Sequence, residues 1–524
     1  MASRIAVFGL DGASFEILEG LASCGLMPNM AKLLKTAGRG VLNSTVPIYT
    51  VPSWVTCWSG VSPKTHGVLY WRQVSPWLPW RDDAEDPFSF VPFGKIPMLW
   101  DFYGEIGLEV GCIDIPLGFP APDIKGFFTG GIMAPPNSDR MYSPPGLLDN
   151  YPRWLPEVVK DIHSQALRHD MDQRSKYLTQ LGDQVEMRRH FLSEHLDSLD
   201  VLVCVNVIPD RVSHMDFEAL RKLSQTGKGE SELERCWRET DLQLGQVLDW
   251  LGEDGYLMCV SDHGFDSGKR LNIVRWLEKI GVKSPTSAKT LDLQHKIAAY
   301  IPTNIKDRIS NTVKKFRSIP EYLPLTANPN NTLVWSPTVD GRASYLFISP
   351  DATDKAEIIN KIIEGVENCQ KIDGADCPFK SVQTGLDLFG TQSGATIPDL
   401  VILPNDDWIL TSEVGSELEV LPSGDVEAVH HMKGILIAKG PGVKSGLHES
   451  SEMVDILPTL LNLAGIASPG HLEGKSIDWI SSVNAENLKS VEESIKNSQS
   501  ANKELSDEER FAMEAHLQSL GYLD

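Results

Sequence analysis

Four polar clusters in this sequence place carboxylates, imidazoles or both beside short apolar runs. The run Ile5 to Leu10 ends in Asp11-Gly12, and Val201 to Ile208 ends in Pro209-Asp210-Arg211-Val212-Ser213-His214. Tyr256 to Val260 ends in Ser261-Asp262-His263-Gly264, and His430-His431 stand just before the run Gly434 to Ala438. Taken singly, an Asp after a strand is an ordinary helix cap and a His an ordinary hydrogen-bonding side chain. As a set they are a mixed oxygen and nitrogen donor group suited to zinc or a similar divalent ion. Three carboxylates and at least three histidines exceed what one catalytic ion with an open position takes, so the count implies two sites.

A two-ion site needs a group to act with, and Thr50 is the candidate. The stretch Thr45 to Trp54 reads as an extended segment entering a helix, with Pro52 at an early position where proline is tolerated. Thr50 then sits at the helix N-terminus, where unpaired amides and the positive end of the dipole favour an anion such as a phosphoryl group. A bare hydroxyl is a poor nucleophile and can equally be a plain cap; coordination to a metal would activate it.

These residues need a scaffold that brings strand ends together. Short apolar strands at Ile5–Leu10, 201–208, 256–260, 400–403 and 434–438 alternate with helical stretches near 165–196 and 231–252. That rhythm predicts an α/β fold with a mostly parallel sheet and helices on both faces, in which ligands bind beyond the carboxyl ends of the strands. The expected organisation is a catalytic core over 1–280, with aromatic and Pro-rich loops at 73–155. A basic cap follows at 281–330, the core returns over 331–479, and a linker and C-terminal helix opened by Ser506-Asp507-Glu508-Glu509 occupy 480–524. The cap holds eight Lys and Arg against three acids, a local +5, and is either a solvated helical excursion or a lid for an anionic substrate.

The whole chain has 524 residues with 48 basic and 71 acidic side chains, a net charge of −23. Such a balance argues against nucleic-acid or anionic-membrane binding. No apolar run is long enough to span a membrane, the N-terminus reads as a strand and not as a signal peptide, and a cytoplasmic location is expected. The eight cysteines show no metal-finger spacing and read as mostly buried free thiols.

In order and spacing the motifs resemble the alkaline phosphatase superfamily, in particular its type I phosphodiesterase/nucleotide pyrophosphatase branch with its phosphohydrolase and phosphomutase relatives. The resemblance runs through Phe8-Gly9-Leu10-Asp11-Gly12, Thr50-Val51-Pro52-Ser53-Trp54, Ser59 to Gly67, Asp210 to His214, Val260 to Phe265, Gly434 to Gly442 and Asp455 to Leu461. It implies an alkaline-phosphatase-like fold. It also implies that Asp11, Asp262 and His263 hold the metal that also contacts Thr50, and that Asp210, His214 and His430 hold the second. His430 is chosen over His431 by its distance from Gly434, and His66 is read as structural. The implied ions are zinc, with manganese or iron as alternatives. The implied reaction is cleavage of a small anionic phosphate ester, a phosphodiester, through a phosphothreonine on Thr50.

The departures narrow the reading. Trp71 stands where nucleotide pyrophosphatases carry an Asn, which argues against a nucleotide diester. The Thr50 motif lacks the convertible residue and the Arg of sulfatases. Phosphomutase, phosphotransferase or phosphomonoesterase activity uses the same ligands, and a non-catalytic metal-containing binding protein is the alternative of another class. The aromatic cluster Trp54, Trp58, Tyr70, Trp71, Trp77 and Trp80 reads as core, or as a stacking pocket for a base, sugar or aryl group.

Overall fold

The computed structural model describes residues 3–69, 96–156 without 137, 167, 170–282, 334–336, 342–350, 352–390 without 373, 397–412, 428–480 and 505–519. The chain divides into two compact units. One comprises Met1–Trp71, Phe88–Asp266 and His430–Tyr522; the other comprises Arg72–Pro87, Ser267–Val429 and Leu523–Asp524.

Runs of apolar residues with no polar alternation make strands covered on both faces, and the first unit is built on them. Its ten-stranded sheet contains, in chain order, β1 (Ile5–Leu10), β2 (Gly38–Asn43), β3 (Val110–Ile115), β4 (Gly126–Gly130), β5 (Tyr142–Ser143), β6 (Val201–Asn206), β7 (Tyr256–Val260), β8 (Lys433–Lys439), β9 (Gly446–Leu447) and β10 (Ser451–Glu452). Across the sheet the order is β9-β2-β8-β7-β1-β6-β3-β4-β5, with β10 also on β2. Strands β7, β1, β6, β3 and β4 run parallel, while β8 and β5 oppose their neighbours. The fold is therefore the expected mostly parallel sheet with helices. In register, Gly9 lies opposite Val205 on one side and Val260 on the other, so the chain leaves three adjacent strands at one level, at Asp11, Asn206 and Ser261.

Two expectations need correction. Within the stretch expected to form surface loops, Val110–Ile115 and Gly126–Gly130 are buried strands of the main sheet. Asp114 and the glycines hide them in the sequence, and Asp114 is accommodated because it meets Arg188, whose Nη2 is 3.1 Å from its Oδ1. The return to the core comes at His430, not at 331. Residues 267–429 instead form most of the second unit, with an antiparallel sheet in the order Val334–Trp335, Ser344–Ile348, Leu400–Pro404, Phe379–Thr384. Its own core includes Leu271, Trp276, Leu346, Phe379, Ile402 and Trp408. The run at 400–404 reads equally well as a strand of the parallel sheet, because an all-apolar strand fits any sheet covered on both faces.

Most of the basic stretch, from residue 283 to 330, lies outside the described residues, as do 70–95 and the linker at 481–504. The predicted C-terminal capping box is formed: Ser506 N donates to Glu509 Oε2 at 2.8 Å and Glu509 N to Ser506 Oγ at 3.2 Å, opening the helix Asp507–Ser519. All eight cysteines are free, five of them buried. Among the described residues no helix is long and apolar enough to cross a membrane.

Candidate metal centre

The parallel arrangement delivers the carboxylates. Asp11 leaves β1 and turns at once through Gly12, whose φ of 68° favours glycine. A Cβ there would come within 3.0 Å of Asp210 Cα, so Gly12 also lets two carboxylate-bearing turns approach each other. The Gly12 amide donates to Asp262 Oδ1 at 3.2 Å, tying the end of β1 to the end of β7. Asp210 and His214 stand four residues apart on the helix Ile208–Thr226, hence on one face. His430 comes from the short strand Val429–His431, which pairs with Gly264–Asp266 just after His263.

Six donors gather in two groups of three, Asp11 with Asp262 and His263, and Asp210 with His214 and His430; within each group the donor atoms lie within 4.8 Å of one another. The groups adjoin, since the rings of His263 and His430 stack at 3.8 Å. These are the two sets that the resemblance implied. His430 is buried and points into the centre, whereas His431 Nδ1 accepts from the Lys433 amide at 3.2 Å in a turn.

Two of the imidazoles present the lone pair a cation requires. His263 Nδ1 meets Gly264 O at 3.0 Å and His430 Nδ1 meets Ile48 O at 3.1 Å. A carbonyl only accepts, so each Nδ1 carries the proton and each Nε2 keeps its lone pair. One oxygen of each carboxylate, Asp11 Oδ1, Asp210 Oδ1 and Asp262 Oδ2, is buried with no hydrogen-bond partner among the described residues. Asp210 Oδ1 lies 3.3 Å from His214 Nε2 and 3.4 Å from His430 Nε2, while Asp262 Oδ2 lies 3.4 Å from His263 Nε2. Orphaned carboxylate oxygens beside imidazole lone pairs are costly unless a cation joins them, so the residues fit two divalent ions.

The electrostatics agree. Burial, reinforced by the charge of Asp210, pushes Asp11 up to about 7. Burial and Asp11 hold Asp262 well above the usual carboxylate range. Burial also works to raise Asp210, but His214, His430 and Arg211 together hold it well below its ordinary value. Burial and His430 depress His263. Crowded carboxylates cannot all ionise here on the protein's own charges, and two divalent ions would reverse that.

Thr50 is the first residue of the helix Thr50–Ser59 and is buried. Its Oγ1 lies 3.4 Å from His263 Nε2, and the first amide bonded within the helix is that of Ser53, to Tyr49 O at 3.2 Å. The amides of Thr50 and Val51 thus lie outside the helix's own hydrogen bonds. His66 is held within the fold: Nδ1 accepts from the Val68 amide at 3.0 Å and Nε2 meets Thr56 Oγ1 at 3.0 Å, with burial depressing the ring to about 3.

Two residues beside the ligands have no local sequence signal that would mark them. Arg211 is buried with Nη1 3.1 Å from Asp210 Oδ2, and Trp54 Nε1 donates to Asp11 Oδ2 at 3.1 Å. Trp54 and Trp58 belong to the core, fully buried; Tyr70, Trp71, Trp77 and Trp80 lie outside the described residues.

The family model for type I phosphodiesterase/nucleotide pyrophosphatase matches residues 5–432, a span that contains all six donors and Thr50. The chain belongs to this family and is a metal-dependent hydrolase of phosphate esters. Among solved structures it is similar to murine ectonucleotide pyrophosphatase/phosphodiesterase 5, with a TM-score of 0.48 and 12% identity over 93% of this chain and 100% of that one. An inactive variant of the same murine protein in complex with AMP gives a TM-score of 0.49 and 12% identity over the same shares of each chain. No curated protein matches by sequence.

Proposed function

We propose that this chain hydrolyses a small phosphodiester, with Thr50 as nucleophile and zinc as the ion in both sites, manganese or iron being the alternatives. The observation that carries the reading is the placement of Thr50 Oγ1 against His263 Nε2 at 3.4 Å, at the opening of a helix and beside two donor triads. Bound divalent ions would favour the Thr50 alkoxide and offset charge on the attacking and leaving oxygens.

The chain's own residues set the rest. Thr50 Oγ1 loses its proton to solvent water and bonds to phosphorus while the ester oxygen opposite departs with the bonding pair and takes up a proton from water. Water then breaks the phosphothreonine bond and restores the hydroxyl. The Thr50 and Val51 amides, outside the helix's own hydrogen bonds, favour the equatorial phosphoryl oxygens. Mixed imidazole and carboxylate donors suit zinc, and family membership supports the diester.

The test is metal analysis of the purified protein together with hydrolysis of bis-p-nitrophenyl phosphate and p-nitrophenyl phosphate by wild type and Thr50→Ala. About two ions per chain, faster cleavage of the diester and a loss of roughly 10³-fold or more in kcat for Thr50→Ala are expected. Fewer than one ion per reconstituted chain, or unchanged turnover in Thr50→Ala, sinks the mechanism. Preference for the monoester, or transfer to an added alcohol in place of water, would replace the diesterase reading with phosphomonoesterase or phosphotransferase.

A further inference from the structure

We infer that Trp54 is a positioning residue for the metal centre: its indole N–H holds one oxygen of Asp11 so that the other is presented to a cation. The inference rests on the proposed role of Asp11 as a metal ligand. Trp54 Nε1 donates to Asp11 Oδ2 at 3.1 Å. Asp11 Oδ1 has no hydrogen-bond partner among the described residues and lies 3.6 Å from His263 Nε2. One oxygen is thus occupied and the other is directed at the donor group. A carboxylate free to rotate about its Cβ–Cγ bond would offer either oxygen, and would lose that freedom only on binding the ion.

The indole is itself fixed from two sides. It stacks on Trp58 with ring centroids 5.1 Å apart and planes 13° from parallel. Gly9 makes room for it: a Cβ there would lie 2.7 Å from Trp54 Cη2. Gly9 precedes Asp11 by two residues, so the end of β1 supplies both the space for the ring and the carboxylate it grips. Trp54 also stands four residues after Thr50 on the same helix, and hence on the same face. One helical turn therefore carries the proposed nucleophile and the clamp on a proposed ligand, which fixes the distance between them.

Partners of this kind typically contribute 10–100-fold to metal affinity. Trp58 is the internal control. It has comparable bulk, but its Nε1 has no hydrogen-bond partner among the described residues. Trp58→Phe keeps an aromatic face stacked on the Trp54 indole and so leaves that support in place; a general packing effect would follow either substitution, whereas loss of the orienting hydrogen bond follows Trp54→Phe alone.

The experiment is calorimetric titration of EDTA-treated wild type, Trp54→Phe, Trp58→Phe and Gly9→Ala with Zn²⁺, alongside thermal melts. Wild type should take two equivalents. Trp54→Phe should bind one equivalent about 10–100-fold more weakly and the other unchanged, while Trp58→Phe keeps both affinities even where its Tm falls. Gly9→Ala, which keeps the N–H but displaces the ring, should shift in the direction of Trp54→Phe, and its titration decides the matter if Trp54→Phe does not fold. Wild-type affinities at both sites in Trp54→Phe, or an equal loss in Trp58→Phe, overturns the inference and leaves the metal reading intact. Absence of Zn²⁺ binding by wild type overturns both.

Discussion

Adjacent residues on a strand point to opposite faces, and His430 and His431 show what that alternation does to chemistry. His430 is buried, with Nδ1 on Ile48 O and Nε2 2.9 Å from His214 Nε2; His431 is spent on a turn amide. His430→Ala is expected to lower the affinity for one ion and to reduce turnover strongly, while His431→Ala changes stability by no more than about 0.5 kcal/mol and keeps activity. Metal content and diester turnover of the two variants, measured side by side, would reverse the assignment if their order were opposite. Asp210→Asn keeps the shape of the side chain but removes its charge, and is expected to cost more activity than any exposed carboxylate. These candidate donors are legible in the sequence because each sits next to an apolar run whose end can be recognised. Trp54 and Arg211 are not. The hydrogen bond from Trp54 spans 43 residues, and nothing local to either end marks it.

At the scale of elements, the helix Pro28–Thr36 shows how one part of the fold supplies what another lacks. It opens with Pro28 after Met27, a residue whose side chain makes no capping bond. Its first amides are met by Asp241, far away on the helix Ser231–Leu251: Met30 N donates to Oδ1 at 2.8 Å, and Asn29 N and Nδ2 donate to Oδ2, each at 3.0 Å. Burial pushes Asp241 above its ordinary value, so these bonds offset a desolvation cost. Asp241→Ala leaves buried donors unmet and is expected to lower the free energy of unfolding by about 2 kcal/mol. Urea titration reads that loss, and an unchanged metal content in the same variant separates it from an effect on the centre. The existence of these helices is legible in their apolar periodicity. Their pairing is not, because an Asp inside an amphipathic helix looks like one more exposed charge. Asp114 misleads for the same reason, since a charged residue within β3 reads as a loop until Arg188 is seen opposite it.

At the scale of the whole molecule, the longest segment of the second unit, Ser267–Val429, is inserted between two of the candidate donors. The chain leaves the first unit after Asp266 and re-enters it at His430. Every proposed ligand lies in the first unit, and the second has a core of its own. Charge follows the same division: the three carboxylates contribute −3 and the buried Arg211 +1, and two divalent ions would add +4, so a loaded centre would carry a local +2 within a chain of −23 and would accept a small anion. A cation that binds the folded first unit and not its unfolded chain stabilises that unit by about 2.7 kcal/mol per site at a hundredfold excess over Kd. Calorimetry of EDTA-treated protein is therefore expected to show two transitions, of which one moves to higher temperature on adding Zn²⁺ and returns on chelation, while the other stays in place. Limited proteolysis between the two transitions should degrade one unit and spare the other, which identifies the peak that moved. Displacement of both transitions by the same amount would contradict the confinement of the ligands to the first unit, and displacement of neither would remove the stabilising role of the ions.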